Sequence, residues 1–130
     1  MKLIVCVDDR MGMAFNKRRQ SRDRVLCEDI AGLVGGAQVW MDPRSAMLFE
    51  GMGMQITSEG APEDGEYVFL EFTAPSRLSA PPEKIVLYRW NRHYPADVRF
   101  DLPLEGYSCA ETAEFPGSSH ETITREVYEK

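Results

Sequence analysis

The chain places seven basic side chains, Lys2, Arg10, Lys17, Arg18, Arg19, Arg22 and Arg24, in its first 24 residues, against three acids, Asp8, Asp9 and Asp23. That surplus of four positive charges stands on a chain whose net charge is −6, so the remainder carries ten negative charges. Such an asymmetry creates a local positive field on an acidic body. The guanidinium groups of Arg18, Arg19, Arg22 and Arg24 are planar forks suited to phosphate or carboxylate. Ser21 is expected to open a helix whose first N–H groups also favour anions. The plainer reading is a solvated connection paired with Asp8, Asp9, Glu28 and Asp29. The acidic body disfavours non-specific coating by nucleic acid and leaves room for a small anionic ligand or nucleotide.

Three further groups carry chemistry-bearing residues. In RWNRHYPAD, Trp90, His93 and Tyr94 lie among Arg89 and Arg92 and could stack an aromatic or nucleotide ligand; a core tryptophan and a Tyr94-Pro95 turn are the favoured reading. In GSSHET, Ser118, Ser119 and His120 are adjacent, and adjacent residues make no nucleophile–base pair unless the chain folds back on itself. With no orienting acid beyond Glu121, a hairpin tip is the better expectation. Asp8 and Asp9 close an apolar run and could act as acid or base, or cap the next turn. His93 and His120 are the only two histidines, and His120-Glu121 lacks the second histidine of a zinc-protease motif, so no metal is expected.

The elements that must position these residues follow from pattern. Lys2–Val7 is an apolar run suited to a strand buried on both faces. Asp8–Gln20 is expected as a loop. From Ser21, the residues Val25, Leu26, Ile30, Leu33 and Val34 recur near helical spacing, and Gly35-Gly36 stops the helix. Ala37–Met41 is expected as a second buried strand, and Asp42-Pro43 as an N-cap and first-turn proline for a short helix ended by Gly51. Glu66–Phe72 and Lys84–Trp90 are strong strands, Val98–Leu102 a short one. Tyr107–Phe115 and Ile123–Tyr128 are expected to pair as a closing hairpin. The opening β-loop-α-β-α order predicts an α/β fold: one domain over residues 1–130, with a mixed, mostly parallel, twisted sheet and flanking helices. In such sheets ligands gather at the carboxyl ends of the strands. This places the expected anion site among Arg18, Arg19, Arg22 and Arg44.

No run approaches the roughly 20 apolar residues of a membrane helix, so no membrane partner is expected. The opening apolar run is too short for a signal-peptide core. Three widely spaced cysteines, Cys6, Cys27 and Cys109, speak against a disulfide framework and for a reducing cytoplasm. Oligomeric state is not legible.

Several stretches together resemble dihydrofolate reductase. LIVCVDDRMGMAFNKR is similar to that family's opening strand and mobile glycine-bearing loop. GGAQVWMDPRSAMLF resembles its second strand and phosphate-facing helix, usually of the form VVMGRKTxES. EYVFLEF lies where the family has a strand leading into a Gly-Gly turn, KIVLYRWNRHYPADVRFDLP where it has a later strand and its continuation, and REVYEK where it has the last strand. The resemblance implies a dihydrofolate reductase-like fold, shortened between Gly51 and Glu66. It implies Arg44 and Ser45 as phosphate contacts, Asp23 as the catalytic acid if reduction survives, and NADPH as the cofactor in that case. The departures imply a domain that binds without reducing and needs no cofactor. Glu71-Phe72-Thr73 replaces the glycines that admit the diphosphate, Asp42 and Pro43 weaken the helix start, and Leu-Pro-Trp is absent. A phosphate-handling hydrolase is the other enzymatic alternative. A second similarity, to small bacterial proteins that carry the label ribonuclease Z, lacks the HxHxDH motif that two zinc ions require.

Overall fold

The apolar character of Lys2–Val7 (β1) has a direct structural cause. It runs between two parallel neighbours, Tyr67–Leu70 (β6) and Lys84–Arg89 (β7), and both of its faces are covered. The structure, a computed structural model, describes residues Met1–Lys130. After β1 come Gly12–Phe15 (β2), Arg18–Arg19 (β3), the helix Arg24–Val34 (α1), Gln38–Trp40 (β4), the short helix Pro43–Ala46 (α2) and Gln55–Thr57 (β5). Val98–Arg99 (β8), Ser108–Phe115 (β9) and Ile123–Glu129 (β10) follow β7. The large sheet has the order β5-β4-β6-β1-β7-β10-β9. Its first five strands are parallel, and β10 runs antiparallel to both β7 and β9. The chain is therefore one α/β domain with a mixed, mostly parallel sheet. No helix is long and apolar enough to cross a membrane.

Strand alternation divides the core in two. Ile4, Val86, Tyr88 and Trp90 face α1, where Leu26, Cys27, Ile30 and Val34 cover them. Leu3, Val5, Val7, Ile85 and Leu87 face the other way, under Met13 and Phe100. The second face is closed by a small sheet of order β3-β2-β8.

Four expectations require correction. Ser21 does not cap α1. Asp23 does, with extended φ −152° and ψ 122°, and its carboxylate accepts from Val25 N and Leu26 N. The buried face of α1 includes Cys27, while Val25 and Leu33 lie at its half-exposed margin. Asp8–Gln20 is not a plain loop, since β2 and β3 form a hairpin within it, with Ala14 opposite Arg19 and Phe15 opposite Arg18. Asn16 (φ 52°) and Lys17 (φ 62°) take the two left-handed positions that match the strand twist. Finally, β6 stops at Leu70, so Glu71 and Phe72 leave the sheet.

Candidate functional site

The carboxyl ends of β4 and β6 build the first cluster. After β4, Asp42 accepts from Arg44 N at 2.8 Å, and Pro43 occupies the first helical turn. That cap points Arg44 and Ser45 toward the end of β6, where Glu71 projects. Arg19, from β3, grips Glu71 through two parallel bonds: Nε to Oε2 and Nη2 to Oε1, each 3.0 Å. Ser45 Oγ donates to Oε1 at 2.7 Å. The Glu71 side chain is only 9% exposed, so the fork and the hydroxyl form a nearly closed carboxylate receptor. Its hydrogen bonds to Glu71 raise the Arg19 pKa, against the lowering effect of burial.

Arg44 lies over the Phe72 ring, its Cζ 3.8 Å from the ring centre. Its Nε reaches Asp42 at 3.2 Å and its Nη1 donates to Lys17 O at 3.0 Å. Lys17, Arg18, Arg19, Arg44, Met47 and Phe72 line an open cavity of about 400 Å³. Within it Arg19 and Arg44 are paired with carboxylates; Lys17 and Arg18 enter no ion pair. Met47, 69% exposed, adds an apolar rim.

The structure thus brings together Arg18, Arg19, Arg44 and Ser45, and it separates Arg22 from them. Between β3 and α1 the chain turns, so Arg22 lines a different cavity with Arg24, Cys27, Leu48, Met52, Ser118 and Ser119. Arg22 is therefore removed from the anion cluster.

Asp23 organises the second cluster. It is 3% exposed, and both of its oxygens are occupied. Oδ1 accepts from Val25 N (3.0 Å), Leu26 N (3.2 Å), Ser118 N (3.0 Å) and Ser118 Oγ (3.2 Å). Oδ2 accepts from Ser119 N (2.8 Å) and Ser119 Oγ (3.1 Å), and lies 3.1 Å from His120 Nδ1. Burial pushes this carboxyl up, but the N–H groups of Ser118 and Ser119, His120 and Leu26 outweigh burial and hold it well below the usual carboxylate range. A methyl group on Gly117 would collide with Asp23 Oδ2, so only glycine lets the hairpin tip come this close. The β9–β10 tip is in effect clasped onto the start of α1.

His120 sits inside the clasp, 4% exposed. Its ring stacks on Trp90 with centroids 4.6 Å apart and planes inclined by 26°. Its Nε2 faces Tyr94 Oη at 3.0 Å and Ser21 Oγ at 3.2 Å. Asp8 places Tyr94 there. It is buried and accepts from Gly12 N (2.7 Å), Arg10 N (2.9 Å) and Tyr94 N (3.1 Å). Burial pushes the Asp8 carboxyl up, but these N–H bonds hold it below the usual range. Asp8 is thereby a tether rather than an exposed acid or base. Burial, with Glu71 and Asp23 nearby, pushes the Cys27 thiol up to about 11, so it stays protonated at neutral pH and offers no thiolate. No group of three or more His, Cys, Asp or Glu side chains is gathered to hold a metal ion.

Sequence reasoning treats GSSHET as a tip without an orienting acid. The tip is there, and the acid is Asp23, 97 residues earlier. No local signal connects them; only the fold does. No protein-family model matches the chain, and a comparison with curated proteins finds no match.

Proposed function

We propose that this chain binds an anionic small molecule or nucleotide at the Lys17–Arg18–Arg19–Arg44 cavity, on a dihydrofolate reductase-like fold without reductase chemistry. The observation that carries this reading is the cavity's unspent positive charge at the carboxyl ends of β4 and β6. Lys17 and Arg18 meet the anion directly. Arg44, over the Phe72 ring, offers a guanidinium face on which a base could stack. The family reading is supported by the order of elements: an apolar first strand, a glycine-bearing segment, a strand–helix unit ending at Phe49, and a closing terminal strand.

Two observations favour binding over reduction. The Glu71 carboxylate already fills the Arg19–Ser45 receptor, and Glu71 and Phe72 put side chains where a reductase needs bare backbone against its cofactor. Asp23, the acid a reductase would turn toward a pterin-like substrate, has both oxygens engaged by the hairpin tip. NADPH is accordingly expected to bind poorly. Three unpaired cysteines suit a reducing compartment, and we read the protein as cytoplasmic.

A thermal-shift panel tests this reading with inorganic phosphate, ADP, citrate and NADPH. Lys17→Gln with Arg18→Gln should abolish the response to ADP or citrate, because both side chains are exposed and unpaired. Glu71→Gln should enlarge it by freeing Arg19. The response should also fade between about 0.1 M and 1 M salt, as the Debye length falls from about 10 to 3 Å. Equal shifts in wild type and the double variant would remove the cavity from the site. Stoichiometric NADPH binding with dihydrofolate turnover would establish the reductase alternative instead.

A further inference from the structure

We propose that Ser21, His120 and Asp23 form a second, separate site that hydrolyses small carboxylic esters, with Ser21 as nucleophile and His120 as base. The geometry is a continuous relay. Asp23 Oδ2 lies 3.1 Å from His120 Nδ1, and His120 Nε2 lies 3.2 Å from Ser21 Oγ. The Asp23 carboxylate, fixed by four backbone N–H groups, can only accept. Nδ1 therefore carries the proton, and Nε2 turns its lone pair to the hydroxyls of Ser21 and Tyr94. Trp90 holds the ring plane. Ser21 is half-buried, on the solvent side of the relay, while the base and its partner are buried. The relay joins the β3–α1 connection, which carries both Ser21 and the α1 cap Asp23, to the β9–β10 tip and the loop after β7, both far from it in sequence.

The step balances without a redox partner. Ser21 Oγ attacks the ester carbonyl carbon and passes its proton to Nε2. The ester C–O bond then breaks, and His120 returns that proton to the departing alcohol. Water attacks the acyl-Ser21 carbonyl, His120 takes its proton, and the acid is released as Ser21 recovers its own. Once Nε2 is protonated it no longer accepts from Tyr94. The Tyr94 hydroxyl, 3.0 Å from the same nitrogen, is then free to donate to the developing oxyanion. Asp23 acts through His120 as a positioning residue.

A fluorophosphonate probe with peptide mapping, and hydrolysis of p-nitrophenyl acetate, test the assignment. One probe per chain should attach at Ser21. Wild type should hydrolyse the ester at least about 100-fold faster than Ser21→Ala, the scale of losing an activated nucleophile and its base. Ser21→Ala leaves His120 Nε2 its bond with the Tyr94 hydroxyl, and its melting temperature, measured alongside, should match wild type. Asp23→Asn should slow labelling of the folded fraction by a similar factor, which a purely structural Asp23 would not do. No label at Ser21, or equal ester turnover in wild type and Ser21→Ala, overturns the proposal.

Discussion

Asp23→Ala separates two readings of one carboxylate. If Asp23 is the structural clasp, its loss removes the N-cap of α1, about 0.5–2 kcal/mol. It also takes the charged partner from the buried His120 Nδ1, which keeps only Ser119 Oγ at 3.1 Å; a hydrogen bond to a charged group contributes about 1.5–3 kcal/mol, and the remaining hydroxyl recovers part of that. The N–H groups of Ser118 and Ser119 lose partners too, but both residues are exposed and water recovers part of that loss. The contributions share neighbours and do not add strictly, so the expected loss is about 2–4 kcal/mol. That is a large part of the roughly 5–15 kcal/mol of a typical domain. A substrate acid left waiting in a cleft behaves oppositely, because removing a strained functional charge is commonly neutral or stabilising. Urea unfolding followed by far-UV circular dichroism at pH 7 measures the difference. A loss below about 1 kcal/mol, or a gain, would refute the clasp and return Asp23 to the cleft as a working acid.

Two further outcomes follow from the same contacts. Asp8 and Asp23 both have folded-state pKa values below their unfolded value of about 3.9. Their stabilisation is therefore complete above that value and is lost as pH falls through the folded pKa; melting temperatures from about pH 7 to pH 2.5 should decline less steeply in Asp23→Ala than in wild type. Leu26→Ala should cost about 2–5 kcal/mol, since Leu26 is 2% exposed in the α1–sheet core, and a change within about 0.5 kcal/mol in urea unfolding would place it on the surface instead.

Residues whose environment is set by near neighbours were legible in sequence. KLIVCV and KIVLYR are buried on both faces because they lie side by side at the centre of the sheet, and unbroken apolar runs report that directly. Asp42-Pro43 caps α2 as its chemistry requires. The β2–β3 hairpin was not legible, because Lys17 holds a left-handed position usually betrayed by glycine. Arg19 and Arg22, three residues apart, read as one basic run. The chain turns between β3 and α1 and sends them to different cavities. The Asp23–His120 contact was invisible for a simpler reason: periodicity and spacing carry no information across 97 residues.

The balance of satisfied and unsatisfied charge gives the binding proposal its physical direction. Although the chain is acidic overall, three buried or nearly buried carboxylates near this end of the sheet, Asp8, Glu71 and Asp23, are already engaged. Asp8 is held by backbone N–H groups, Glu71 by Arg19 and Ser45, and Asp23 by the hairpin tip. Each is a poor candidate for receiving a cation, because a ligand would first have to replace short, buried hydrogen bonds. Lys17, Arg18 and Arg22 remain beside the cavities without carboxylate partners. At the cavity lined by Lys17, Arg18, Arg19 and Arg44 no carboxylate is in the lining, and an anion there meets charge that the fold has left available. Net charge alone would have indicated the opposite sign of ligand; the hydrogen bonds that consume the acids reverse that inference.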